Sequence, residues 1–167
     1  PTHLCGQCRA AERRGAPGQQ RALRRRLPFI RLRDGTDPAA VLARARLERE
    51  GAPRTCAAFM RILPFRARLL QARWSGEAAW IPLGDRDFGI DAENQTSRPA
   101  PGEILLYPAG VSETEILFPY GETRFASRFG ELAGNHFLTI MNAREQLDEV
   151  GRRVLWNGAQ DVVFSSL

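Results

Sequence analysis

The stretch from Pro101 to Ile140 (PGEILLYPAGVSETEILFPYGETRFASRFGELAGNHFLTI) constrains the fold of this chain more than any other. It holds three short apolar runs, Ile104–Tyr107, Thr114–Phe118 and His136–Ile140, separated by loops rich in Gly, Pro and charge. Runs this short between breakers predict strands, because a packed helix needs more length to present a face. Alternation then sorts the side chains. Ile104 and Leu106 share one face, Ile116 and Phe118 another, and His136, Leu138 and Ile140 a third.

A chain of 167 residues suits one domain with a sizeable core. No apolar run approaches the roughly 20 residues that span a bilayer. The N-terminus carries no apolar secretory core, so the expected location is cytoplasmic. Cys5, Cys8 and Cys56 are too few for a disulfide framework, in keeping with a reducing compartment. The net charge of +5 is unevenly placed. All 24 basic residues are Arg. Residues 1–33 hold nine of them against Glu12 alone, whereas 34–167 hold fifteen against eighteen acids. The basic character therefore belongs to the tail and the first strand.

Residues 1–27 have few large apolar groups and no period, and are expected to be a disordered tail ahead of a domain over 28–167. The chain begins on Pro rather than Met, which suggests a fragment or an over-extended gene model. His3, Cys5 and Cys8 form H-x-C-x-x-C, one ligand short of a structural zinc site, so no metal is expected. Arg24–Arg26 has no interleaved aromatic for stacking, so no nucleic-acid partner is expected.

Phe29–Arg33 reads as a strand and residues 34–38 as a turn. Residues 40–50 have helix-forming composition but alternate like a strand. Pro53 suits the first position of a helix whose stripe is Cys56, Phe59 and Leu63, stopped by Pro64. Leu69–Trp74 and Ala78–Pro82 flank Ser75-Gly76-Glu77 as a hairpin, and 83–102 reads as a long surface loop. Asn142 with Glu145 has the form of a capping box, followed by a face of Leu147, Val150 and Val154 and a stop at Gly158. Asp161–Phe164 is the last strand.

Ala52-Pro53-Arg54-Thr55-Cys56-Ala57-Ala58-Phe59 resembles the cyclophilin segment in which a strand ends at V/A-P-K-T and a helix leads to a buried Phe. Gly134-Asn135-His136-Phe137-Leu138-Thr139-Ile140 resembles the cyclophilin N-G-S-Q-F-F-I stretch. The wider pattern of Arg73–Ala78, Gly102–Pro108, Phe118–Phe125 and Ala133–Phe137 is similar to an uncharacterised bacterial family of cyclophilin-like domains. The resemblance covers about 29–166. It implies a mainly β fold, a closed antiparallel barrel with two short helices, and it makes Ala40–Glu48 a strand. It implies no established reaction. Arg73 falls about where a cyclophilin's catalytic Arg would, but Leu70–Gly76 replaces the F-H-R-I-I-P-G-F-M run. Peptidyl-prolyl isomerase activity is therefore expected to be absent or very weak.

His136 can be a hydrogen-bonded core residue or a barrel-mouth histidine that titrates near neutrality. Asn135, Glu113, Glu115, Glu122, Arg124 and Arg73 are the residues expected to join it if the loops fold over one end, with carboxylate pairs as acid and base. No Ser–His–acid or Cys–His pattern names a nucleophile, and whether the protein is an enzyme stays open. Cys56 is expected to be inert packing. For Trp74 and Trp80, core or subunit contact is expected ahead of ligand stacking. The function expected is binding of a small molecule or short peptide at a barrel-end pocket, in an accessory-enzyme role. The alternative is a non-catalytic interaction or homo-oligomerisation module. No cofactor and no membrane partner are expected.

Overall fold

The computed structural model describes residues 28–33, 41–141 and 144–166. The tail with its Cys and His residues, the turn at 34–38 and the Asn142 cap lie outside the described residues.

The strands predicted from short apolar runs are present. In chain order they are β1 (Pro28–Arg33), β2 (Val41–Leu47), β3 (Phe65–Gln71), β4 (Gly76–Gly84), β5 (Gln95–Thr96), β6 (Glu103–Tyr107), β7 (Thr114–Thr123), β8 (Ala126–Ser127), β9 (Gly130–Glu131), β10 (Gly134–Ile140) and β11 (Gln160–Ser166). The helices are α1 (Pro53–Arg61) and α2 (Arg144–Trp156). Residues 41–47 form a strand despite their helical composition. Ala43, Ala45 and Leu47 are buried and Arg44 and Arg46 exposed, so a half-buried ladder wins over local propensity.

All pairings are antiparallel, in the order β2-β1-β11-β3-β4-β7-β6-β10-β5, with a further β2–β10 contact. The closed barrel expected from the resemblance is replaced by a strongly curled half-barrel sheet. Its ladders are long within each half, but β3 meets β4 through only Leu70↔Trp80 and Gln71↔Ala79. The contact of β10 with β2 is three residue pairs long. β5 pairs with the other end of β10, at Gly134 and Asn135.

Period two gives the central strands two apolar faces. Ala79 and Ile81 of β4, Ile104 and Leu106 of β6, and Ile116 and Phe118 of β7 join the larger core. Both helices cover this inner face, α1 through Cys56, Phe59 and Met60, α2 through Leu147, Val150 and Val154. Phe59 stands edge-on to Phe137 (4.9 Å) and Phe164 (5.3 Å), an arrangement favoured by the ring quadrupoles.

The opposite side chains of the same strands, Ala78, Trp80, Leu105, Tyr107 and Leu117, form a second cluster with Ala72, Phe125 and Leu132. The segment from Arg124 to Ala133, with its small β8–β9 hairpin, covers this outer face. Strict alternation fails in β10. A register shift between His136 and Leu138 puts Phe137 and Leu138 both into the larger core. His136 therefore does not share the face of Leu138, and it is half-buried.

Candidate functional site

The outer face carries a pocket of about 800 Å³. One wall is the β3–β4 connection, from Gln71 to Ser75. A second is the hairpin segment Ala126–Phe129, and a third is the loop Val111–Glu113. Trp80, Leu117 and Glu115 of the sheet also line it. Both Trp74 and Trp80 line the pocket, whereas the third tryptophan, Trp156, does not.

Backbone geometry fixes these walls. Gly76 turns the chain into β4 with φ +79°, and a Cβ there would lie 2.8 Å from the Glu122 carbonyl oxygen, so the turn admits only glycine. Buried Ser75 staples this turn to the hairpin. Its hydroxyl donates to the Ala126 carbonyl (3.1 Å) and accepts from the Ala126 N–H (3.2 Å). The third wall is held by Tyr107, whose hydroxyl accepts from the Val111 N–H (3.1 Å). Glu113 accepts from the Gly84 N–H (3.0 Å), anchoring the same loop to the end of β4.

Glu115 is the unusual group. It is in phase with Leu117 on β7, so it points to the outer face, opposite Pro82 on β4 and Tyr107 on β6. It is 6% exposed, and among the described residues it has no hydrogen-bond donor and no ion-pair partner. Burial, reinforced by the nearby charge of Glu113, raises its carboxyl from the ordinary 4.5 to about 7. Such a group is poised to exchange a proton near neutrality. At the exposed rim Arg73 has no carboxylate partner among the described residues, and Arg128 stacks over the Phe129 ring at 4.5 Å.

Of the residues singled out from the sequence, the pocket brings together Arg73, Glu113 and Glu115. The others stand elsewhere. Arg124 is exposed and hydrogen-bonds Glu131 at 2.6 Å. Glu122 is exposed, and its N–H donates to Glu77. His136 belongs to a chain of side chains beside β2. Thr139 donates its one hydroxyl proton to Glu48 (2.5 Å), so the His136 Nε2, 2.9 Å from that hydroxyl, must be the donor to it. Burial pushes Glu48 up, but the bonds from Thr139 and Arg46 outweigh it and hold the carboxyl below its usual range.

Asn135 is fully buried and belongs to the seat of α1. Its amide donates to the Thr55 hydroxyl (3.0 Å) and the Asp91 carbonyl (2.9 Å), and its carbonyl accepts from the Glu93 N–H (3.0 Å). Ala52 offers no capping side chain, and Glu93 caps the helix from a distant loop instead. Its two oxygens accept from the backbone N–H groups of Arg54 (3.1 Å) and Thr55 (2.8 Å), the Thr55 hydroxyl (2.8 Å) and the Arg54 guanidinium (2.9 Å). Cys56 is inert: burial pushes its thiol to about 12, and its S–H faces the Phe137 carbonyl.

Sequence reasoning placed ligand stacking second for Trp74 and Trp80 and missed Ser75, Arg128 and Phe129 as lining residues. A signal existed for Glu115, the lone charge inside the apolar run Thr114–Phe118. Nothing comparable marks the hairpin residues. Among the described residues no cluster of His, Cys, Asp or Glu could hold a metal ion, and no helix is long and apolar enough to cross a membrane.

The fold and the pocket define a mainly β domain with a curled antiparallel sheet, two helices on its inner face, and a cavity lined by outer-face residues together with Val154, Gly158 and Ala159 at and beyond the end of α2. The chain belongs to the family described as "Protein of unknown function (DUF3830)", whose profile matches residues 36–166. A comparison with curated proteins finds no match. Among solved structures, one titled "Structure of McbB in complex with tryptophan" has a similar fold, with a TM-score of 0.64 at 16% identity. The similarity covers 83% of this chain and 44% of that one, so this chain spans less than half of its length.

Proposed function

We propose that this protein binds a small organic molecule with a flat apolar body in the outer-face pocket, where Glu115 is its main polar contact. The observation that carries the reading is a buried glutamate whose carboxyl, without a partner among the described residues, opens on a roomy cavity beside two tryptophans. Burying such a group costs several kcal/mol on the order of magnitude unless something compensates it. A fold built only for stability has no use for it, whereas a ligand that hydrogen-bonds it does. Support from outside the chain is limited to the fold neighbour, whose title places tryptophan in that protein. The cyclophilin-like relationship belongs to the same proposal, supported by the strand-to-helix step at Ala52–Phe59. Proton transfer by Glu115 would suit the accessory-enzyme role.

A thermal-shift screen over aromatic metabolites and short peptides tests the reading, since a ligand of the native state raises its melting temperature. We expect flat aromatic compounds to give shifts that Trp80→Ala abolishes. Shifts that survive Trp80→Ala, or their absence throughout the aromatic set, would overturn it.

One observation favours the alternative of an interaction or oligomerisation module: Trp74 (60% exposed), Phe129 (60%) and Val111 (65%) ring the pocket mouth. A dimer in solution that Trp74→Ser dissociates would replace the small-molecule reading.

A further inference from the structure

We infer that the outer-face pocket selects a protonated amine carried on an aromatic ring, with the ammonium seated on Glu115. The inference rests on the pocket being a small-molecule site and names the chemistry of its ligand. Glu115 is an acceptor that lacks a donor among the described residues. Tyr107, across the ladder, has its hydroxyl at the Val111 N–H and makes no hydrogen bond to Glu115, and the Glu113 carboxylate on the adjoining loop only adds negative charge. The cations that line the pocket, Arg73 and Arg128, are on exposed segments at the rim. The donor that completes Glu115 must then come from the ligand. With two carboxylates on one side, a cation is favoured over a neutral hydroxyl, since charge-assisted bonds are the stronger kind. The ring follows from Trp74, Trp80 and Phe129, which offer flat faces around the same cavity.

The charged and titratable groups lining the pocket are Arg73, Glu113, Glu115 and Arg128. Only Glu115 is both buried and shifted into the neutral range, so affinity for an amine should rise with pH as it ionises. The rim guanidiniums could further accept a carboxylate on the same ligand, which would make an aromatic amino acid a better ligand than its decarboxylated amine.

Calorimetric titration with tryptamine and with indole-3-ethanol, which share a ring and differ at the terminal group, decides the matter. At pH 8 tryptamine is expected to bind roughly tenfold or more tightly than the alcohol. The gap should narrow at pH 5.5, and it should vanish in Glu115→Gln, whose melting curve confirms that it is folded. Equal affinity for the two probes, or a preference for the amine that persists in Glu115→Gln, would overturn the amine assignment while leaving the pocket reading intact. If neither probe binds, the pocket reading and the amine assignment fall together.

Discussion

Two carboxylates, Glu93 and Glu115, show how differently one fold can treat the same chemical group. Glu93 receives four donors from the first turn of α1 and its side chains. Burial works against its ionised form, but the Thr55 N–H, the Arg54 guanidinium and the Thr55 hydroxyl outweigh it and hold the carboxyl below its usual range. Glu115 is similarly withdrawn from water and has no such donor among the described residues, so burial and Glu113 push it the other way. The saturated carboxylate is an internal fastening. The bare one is an open valence on the wall of a cavity. Burial alone therefore does not set the state of a carboxyl here; the donors it meets do.

Removing the fastening should have the larger effect. In Glu93→Ala the Arg54 and Thr55 N–H groups lose their acceptor, and the buried Thr55–Asn135 pair loses its end stop. We expect a loss of roughly 2–4 kcal/mol in denaturant unfolding, a cap and a buried hydrogen bond together. A loss below about 0.5 kcal/mol would mean that water replaces the carboxylate at no cost and would break the contrast. The wild-type contribution is present above the ordinary 4.5 and is lost as pH falls through the depressed native value.

The opposite sign is expected for Glu115. Its native value lies above the unfolded one, so below about pH 4.5 both states hold the proton and nothing is gained or lost. As pH rises from 4.5 toward 7 the unfolded chain ionises first, and stability falls; above 7 the deficit is constant. Glu115→Gln should then be more stable than the wild type at pH 8, by roughly 1–3 kcal/mol, and equal to it at pH 4. Equal stability at both pH values would show that Glu115 is hydrated and not a bare buried acid.

The smallest effect is expected at His136, which is half-buried and outside both regions. His136→Gln keeps a donor for Thr139 and should change stability by less than about 0.5 kcal/mol and leave ligand shifts in the thermal screen unchanged. Loss of those shifts would extend the site to the Glu48–Thr139–His136 chain and remove the distinction between the two regions.

How much of this could be read from the chain alone differs between fold and site. The strands came from apolar runs of a few residues, and β10 at Gly134–Ile140 and α2 at Arg144–Trp156 lie close to where periodicity put them. The bulge in β10 did not, because nothing in the letters of His136-Phe137-Leu138 says which two neighbours share a face. That single slip turned His136 from an inward-facing residue into a half-buried one.

The sequence by itself determined the mainly β architecture, the two amphipathic helices and the apolar faces of the central strands. These depend on the spacing of apolar residues within one element, a local property. Only the tertiary structure decided that the sheet curls into a half-barrel, that Glu93 caps a helix nearly forty residues away, and that Trp74, Trp80, Phe129 and Glu115 share one cavity. Those outcomes are set by which elements meet and by whether a buried polar atom finds a donor there. A carboxylate carries no sign, in its own letter or its neighbours', of the partners that a fold will supply or withhold.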